Sequence, residues 1–135
     1  MAGYLFDTDV LSNLVSKQPS ARLLRRLTQV PPAGQFTSAI TVGEIFYGVC
    51  KSGRADDYIS RLEQALWSRV QIVPFDRQAA EAYGRVRAEL ERAGRPLPDP
   101  DLMIAATALA RSLVLVTGNV KHFARVEGLQ VQNWL

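Results

Sequence analysis

The chain has 135 residues, 47% of them hydrophobic and 21% charged, which is typical of a globular protein long enough to bury one core. Cys50 is the only cysteine, so an intrachain disulfide is excluded, and neither a signal-peptide pattern nor a membrane-spanning apolar run is present. We therefore expect one cytoplasmic domain over residues 1–135, with no membrane association.

The net charge of +3 is modest, but its distribution is informative. The motifs below contain five of the acidic residues: Asp7, Asp9, Glu44, Asp99 and Asp101. Among the remaining residues, basic side chains outnumber acidic ones by about two to one. This balance is consistent with a protein that holds cations with its acids and phosphates with its bases, and equally with scattered, solvated surface charge.

Short strand-like segments alternate with helical ones along the chain. Apolar or β-branched runs predict strands at residues 3–6, 35–38, 70–73, 113–117 and, as a half-exposed edge strand, 129–132. Helical spacing marks residues 54–67, and a further helix begins after Asp76 and ends at Gly94. The alternation predicts a small, mainly parallel sheet flanked by helices, whose ligands bind beyond the carboxyl ends of the strands.

The first candidate acid, Asp7, directly follows the first predicted strand. A carboxylate in that place is held rigidly at the edge of the sheet, and Mg²⁺ prefers such oxygen ligands. The alternative is that Asp7 only caps a helix starting near Thr8. This segment alone supports both interpretations equally.

The second candidate acid, Glu44, lies three residues after Thr41, and the pair matches a helix capping box. That structural explanation is the simpler one for the segment. However, the apolar stripe of this helix excludes Glu44, and Gly48 leaves space beside its carboxylate one turn later. A functional role for Glu44 therefore stays open.

The third candidate, Asp101, lies in the first turn of a predicted helix that follows Pro100. Asp99 fits the N-cap of that helix, and the helix dipole favours a negative charge at Asp101. Asp101 also shares a face with Ile104 and Ala105, which should pack on the sheet. A charge at the head of such a face needs a partner, either a metal ion or an arginine, so Asp101 is the preferred ligand of the two.

A last polar group follows the most hydrophobic strand. Thr117 and Asn119 offer a hydroxyl and an amide that could position a water, although an ordinary turn is the commoner explanation. His122 is the only histidine, which excludes zinc sites built from several histidines, and we expect it at the surface.

Taken in order, these segments resemble VapC-type PIN-domain toxins. The resemblance is carried by residues 5–12, 37–44, 47–48, 87–90, 94–96, 101–106, 115–119 and 128–134. It implies a PIN-like three-layer α/β/α fold and a metal-dependent endoribonuclease that is the toxin of a toxin–antitoxin pair. It further implies an RNA substrate such as tRNA, a cognate antitoxin and a homodimer.

By matching positions, the resemblance makes Asp7, Glu44 and Asp101 the acids that hold Mg²⁺ or Mn²⁺. Asn119 stands where many relatives carry a fourth acid, and Asp9 replaces a common asparagine. Side chains that would position water or polar groups are Thr8, Ser38, Asp99, Thr117 and Asn119. Suggested RNA contacts are Arg87, Arg95, Lys121 and Arg125, for which a solvated surface role is the simpler interpretation. Hydrolysis by activated water should leave a 5′-phosphate.

Two other functions compete with this one. A haloacid-dehalogenase-type phosphatase would use Asp7 as its nucleophile, because Asp7-Thr8-Asp9 after a strand resembles that family's motif. It would leave Glu44 without a role. The other alternative is a catalytically inactive PIN-like domain that only binds RNA or a partner protein, and the presence of all three acids disfavours it.

Overall fold

The computed structural model describes residues 3–53 and 55–135. In this part of the chain, parallel strands and helices follow one another. The strands are β1 (Tyr4–Phe6), β2 (Gln35–Ser38), β3 (Gln71–Val73), β4 (Val114–Val116) and β5 (Val131–Gln132). The helices are α1 (Thr8–Leu14), α2 (Ala21–Thr28), α3 (Ala39–Ser52), α4 (Ala55–Leu62), α5 (Arg77–Arg92), α6 (Asp99–Ala110) and α7 (Val120–Phe123). A short 3₁₀ turn (Pro32–Gly34) precedes β2, and a π-helical segment (Glu63–Trp67) extends α4.

The strands form one sheet in the order β3-β2-β1-β4-β5, and every pairing is parallel. The short strand β1 therefore lies at the centre. Its register pairs Leu5 with Leu115 and Phe6 with Val116 on β4. The sheet confirms all five predicted strands, including the edge position of β5.

Helices cover both faces of the sheet and create a core on each. Because side chains alternate along a strand, Phe6 points into one core and Leu5 into the other. The first core takes its buried helical residues from α1 to α4 and the π-helical segment, and the second from α5, α6 and α7. This is the predicted three-layer α/β/α arrangement. No described helix is long and apolar enough to cross a membrane.

Several helix ends follow the sequence prediction. Asp76 caps α5, accepting a hydrogen bond from the Ala79 backbone N–H at 3.0 Å. Gly94, just after this helix, has a left-handed backbone with φ of 68°, and glycine adopts that conformation without strain. The helix predicted over residues 54–67 is present from Ala55. Arg54 lies outside the described residues.

Two predicted caps are wrong. The N-cap of α3 is Ser38 rather than Thr41, because β2 runs directly into the helix and the Ser38 hydroxyl accepts from the Thr41 backbone N–H. The N-cap of α6 is Pro98 rather than Asp99, which lies inside the helix. The predicted capping box of Thr41 and Glu44 is therefore absent, and the Glu44 carboxylate is not used for capping.

Candidate metal centre

Asp7 is held at the carboxyl end of the central strand. Its Oδ1 accepts from the Thr8 backbone N–H at 2.8 Å, and its Oδ2 accepts from the Thr117 hydroxyl at 2.8 Å. The residue is only 8% exposed. Burial raises the pKa of Asp7 to about 6, and the charges of Asp9 and Asp101 add to the rise, against the lowering effect of the two hydrogen bonds. A carboxylate in this environment gains free energy from a nearby cation.

The loop after β4 is fastened to the start of α1. The Thr117 hydroxyl, fully buried, donates to Asp7 and accepts from the Asn119 backbone N–H at 3.0 Å. Asp9 Oδ2 accepts from the Gly118 backbone N–H at 2.9 Å. A Cβ atom at Gly118 would lie 2.7 Å from that same oxygen, so this close approach requires glycine. These contacts fix the orientation of Asp7 relative to the loop.

Replacing Thr117 by valine tests this arrangement. Valine keeps the shape of the side chain but removes the donor to Asp7, so we expect the rate of the RNA cleavage that the resemblance implies to fall about 10- to 100-fold. Thr117→Ser keeps the hydroxyl and should stay within a few-fold of the wild type. Cleavage by the valine variant at the wild-type rate would show that Thr117 does not position Asp7.

Glu44 approaches the site from α3, whereas Asp7 directly follows β1. The Thr8 hydroxyl donates to Glu44 Oε1 at 2.5 Å, so Thr8 links the start of α1 to this carboxylate. The Thr8 hydroxyl oxygen also lies 3.4 Å from the Thr41 hydroxyl oxygen. Ser38 is fully buried and donates to Thr41 at 3.2 Å. The sequence assigned Ser38 to water positioning, but its contacts in the structure are those of a helix cap.

Asp101 reaches the same end of the sheet from the first turn of α6. Burial raises the pKa of Asp101, as do the negative charges of Glu44 and Asp9, while His122 lowers it. His122 Nδ1 lies 3.7 Å from Asp101 Oδ2 and 2.8 Å from Asn119 Nδ2. The sequence placed His122 at the surface. The side chain is 39% exposed, and it also lies against Asp101, because the short helix α7 follows Asn119 immediately.

The other predicted residues have different surroundings. Asp99 Oδ1 accepts from the Tyr83 hydroxyl at 2.9 Å, and that hydroxyl accepts from Arg87 Nη1 at 2.7 Å. Arg87 Nε also lies 3.1 Å from a carboxylate oxygen of Glu91. Asp99 thus contacts side chains of α5, the helix that contains Tyr83 and Arg87. Arg125 Nη1 donates to the Pro96 carbonyl at 3.1 Å, a contact within the protein.

The carboxylates of Asp7, Asp9, Glu44 and Asp101 are close enough to raise the pKa values of Asp7 and Asp101. Within residues 3–53 and 55–135, none of the four forms a salt bridge with lysine or arginine. The same residues contain no ready-made group of three acidic, histidine or cysteine side chains around a metal position. The chemistry of the donor set fits a hard divalent cation, since carboxylate oxygens are its usual ligands and no lysine or arginine of the described chain is paired with them.

The chain matches the family model described as PIN domain over residues 4–129. Ribonuclease VapC2 of Haemophilus influenzae is 34% identical over 136 residues, which cover 100% of both chains. The tRNA(fMet)-specific endonuclease VapC of Shigella flexneri is 32% identical over 134 residues, covering 99% of each. These full-length matches give no support to the phosphatase alternative.

Solved structures agree with the sequence matches. The DNA-bound VapBC of Salmonella typhimurium superposes with a TM-score of 0.91 at 32% identity and covers 100% of both chains. A toxin–antitoxin complex from Klebsiella pneumoniae gives a TM-score of 0.71 at 31% identity, covering 94% of this chain and 95% of that one. Together with the parallel sheet and the acids at its carboxyl edge, these matches show that the chain belongs to the PIN-domain family, within its VapC group of ribonucleases.

Proposed function

We propose that this protein is a Mg²⁺- or Mn²⁺-dependent endoribonuclease and the toxin of a toxin–antitoxin pair. What supports the proposal is that three carboxylates, Asp7 after β1, Glu44 on α3 and Asp101 on α6, act on one another: besides burial, Asp101 raises the pKa of Asp7, and Glu44 raises that of Asp101. No lysine or arginine of the described chain is paired with any of the three. The names of the similar proteins support ribonuclease activity.

Asp7, Glu44 and Asp101 would hold the cation. When bound, it would activate water and offset the negative charge that develops on the phosphodiester. Thr117 fixes Asp7, and Thr8 fixes Glu44, through the hydrogen bonds given above. Because the Asp7, Glu44 and Asp101 side chains are buried or half-buried, they would change position little and lose little entropy on binding the cation.

Around this centre, Asp9 keeps the loop after β4 in place, and Asn119 and His122 lie beside Asp101. Asn119 supplies an amide where many relatives carry a fourth acid. The site therefore has fewer negative charges to bind a second cation. We infer that one cation binds in the absence of RNA and that the phosphate of the substrate supplies oxygen ligands for any other.

The substrate we propose is RNA, and a tRNA is the first to try because a similar protein is named as a tRNA-specific endonuclease. The proposed partners are a cognate antitoxin and a second copy of the chain. The exposed Arg95 and Lys121 remain suggested RNA contacts. We place the protein in the cytoplasm, where RNA substrates occur.

Incubation of the purified protein with tRNA tests the proposal. We expect cleavage with Mg²⁺ or Mn²⁺, no cleavage with EDTA, and recovery when the metal is restored. The new ends should carry 5′-phosphates, which direct adapter ligation detects. Undiminished cleavage in EDTA would overturn metal dependence. Tight RNA binding without cleavage in either metal would favour the inactive binding domain instead.

A further inference from the structure

A cavity opens directly beside the candidate metal centre. It has a volume of about 690 Å³ and includes Thr8 and Glu44 in its wall. Its other walls come from the end of α1, from α3 and from α4. The volume falls within the roughly 300–1,000 Å³ typical of ligand sites. The cavity is therefore continuous with the proposed reaction site and large enough to hold part of a substrate.

The walls formed by α4 and by the segment after α1 carry two cationic side chains. Lys17 follows α1, and Arg61 lies in the last turn of α4; both are exposed. Within the described part of the chain, neither forms a salt bridge. The Arg61 guanidinium carbon lies 5.6 Å from the centre of the half-buried Tyr58 ring, which limits the positions open to this long side chain.

The remaining lining is mixed. Ile45 and Val49 of α3 form an apolar floor, and Asp57 is the one acid of the cavity besides Glu44 among the described residues. A single apolar partner segment would leave Lys17 and Arg61 without counter-charges. A phosphate-bearing strand that leaves the reaction site would meet those two cations and would place its ribose or base on the apolar floor.

We propose that this cavity is a subsite for the RNA segment next to the scissile phosphate, with Lys17 and Arg61 contacting the phosphates of that segment. The inference rests on the proposed function and specifies how the same site holds its substrate. Lys17 and Arg61 act here by binding the strand. They take no part in the bond cleavage itself.

The test is the double variant Lys17→Gln, Arg61→Gln, assayed on tRNA with Mn²⁺. We expect KM to rise at least about tenfold, because two charged contacts are lost, with kcat changed less than about twofold. If both side chains contact phosphates of single-stranded RNA, the slope of log affinity against log salt should decrease in magnitude by about 1.4. A purely structural role would not change that slope.

Two controls accompany the double variant. Arg85→Gln removes an exposed charge from α5, which packs on the opposite face of the sheet, and should leave KM and the salt slope unchanged. Lys17→Arg, Arg61→Lys keeps both charges and should retain the wild-type slope. Titration with Mn²⁺ alone should give the same affinity for all variants, since the carboxylates are intact.

The outcomes separate this inference from the proposed function. If the wild type cleaves no RNA with Mn²⁺, the proposed function fails and the subsite with it. If the wild type cleaves and the double variant has the same KM and salt slope, only the subsite is wrong. The cavity would then belong to another occupant, such as a segment of a protein partner.

Discussion

Asp101→Asn is expected to abolish RNA cleavage without unfolding the protein. Asparagine has nearly the same size but offers one oxygen and no negative charge, so the site should lose most of its affinity for a divalent cation. Since such a cation contributes several kcal/mol to the reaction, we expect a loss of at least about 100-fold in the cleavage rate. Expression of the variant should also no longer arrest growth.

The matched control for this variant is Asp99→Asn, two residues earlier on the same helix. Asp99 is exposed and accepts from Tyr83, so its replacement should change cleavage by no more than a few-fold. Circular dichroism of both variants should match the wild type. If Asp101→Asn cleaves tRNA at the wild-type rate, Asp101 is not a ligand of the catalytic cation.

The second large effect concerns stability. In the metal-free protein, Asp7→Asn is expected to raise the free energy of unfolding at pH 7.5 while it abolishes cleavage. Burial raises the pKa of Asp7 from 3.8 to about 6. The folded state therefore binds a proton more tightly than the unfolded state, and stability falls as pH rises from about 4 to 6. Above pH 6 the full cost, about 3 kcal/mol, is present.

Asparagine removes that cost because it carries no charge, although it cannot reproduce both hydrogen bonds that Asp7 accepts. We therefore expect a gain of about 1–3 kcal/mol at pH 7.5 that shrinks towards pH 4. Urea unfolding in EDTA at pH 7.5 and at pH 4 measures this difference in the free energy of unfolding. Asp56→Asn on the exposed surface of α4 serves as the control and should change stability by less than about 0.5 kcal/mol. If Asp7→Asn is less stable than the wild type at pH 7.5, burial of the charged Asp7 carboxylate does not destabilise the folded protein.

The periodicity of the sequence was sufficient to predict the strands and their parallel arrangement. Leu5 and Phe6, for example, are apolar at adjacent positions because β1 is covered on both faces. An acid after such a strand must lie at its carboxyl end. Asp7 and the residues after β4 were therefore predicted at one edge of the sheet on physical grounds.

The details of the helix starts were harder to predict. Ser38 and Thr41 carry equivalent hydroxyl groups three residues apart, and local pattern alone does not determine which of them caps α3. In the structure, β2 continues to Ser38 and α3 begins at the next residue, so Ser38 is the N-cap. Glu44 is consequently free to accept from Thr8, a contact between residues 36 positions apart.

Contacts between distant segments explain the remaining differences. The approach of His122 to Asp101 depends on how α7 packs beside α6, and no sequence spacing encodes that packing. The cavity lined by Lys17 and Arg61 likewise depends on how α4 lies against α1 and α3. The charge pattern indicated an anionic partner but could not select these two residues from the 16 basic ones.

Calorimetric titration of the metal-free protein with Mn²⁺, in the absence of RNA, tests whether Asp7, Glu44 and Asp101 together bind the cation. We predict that the wild type and Asp56→Asn bind Mn²⁺ equally. Asp7→Asn, Glu44→Gln and Asp101→Asn should each bind it at least about tenfold more weakly. Equal affinity in all five proteins would contradict a cation site built from these three carboxylates.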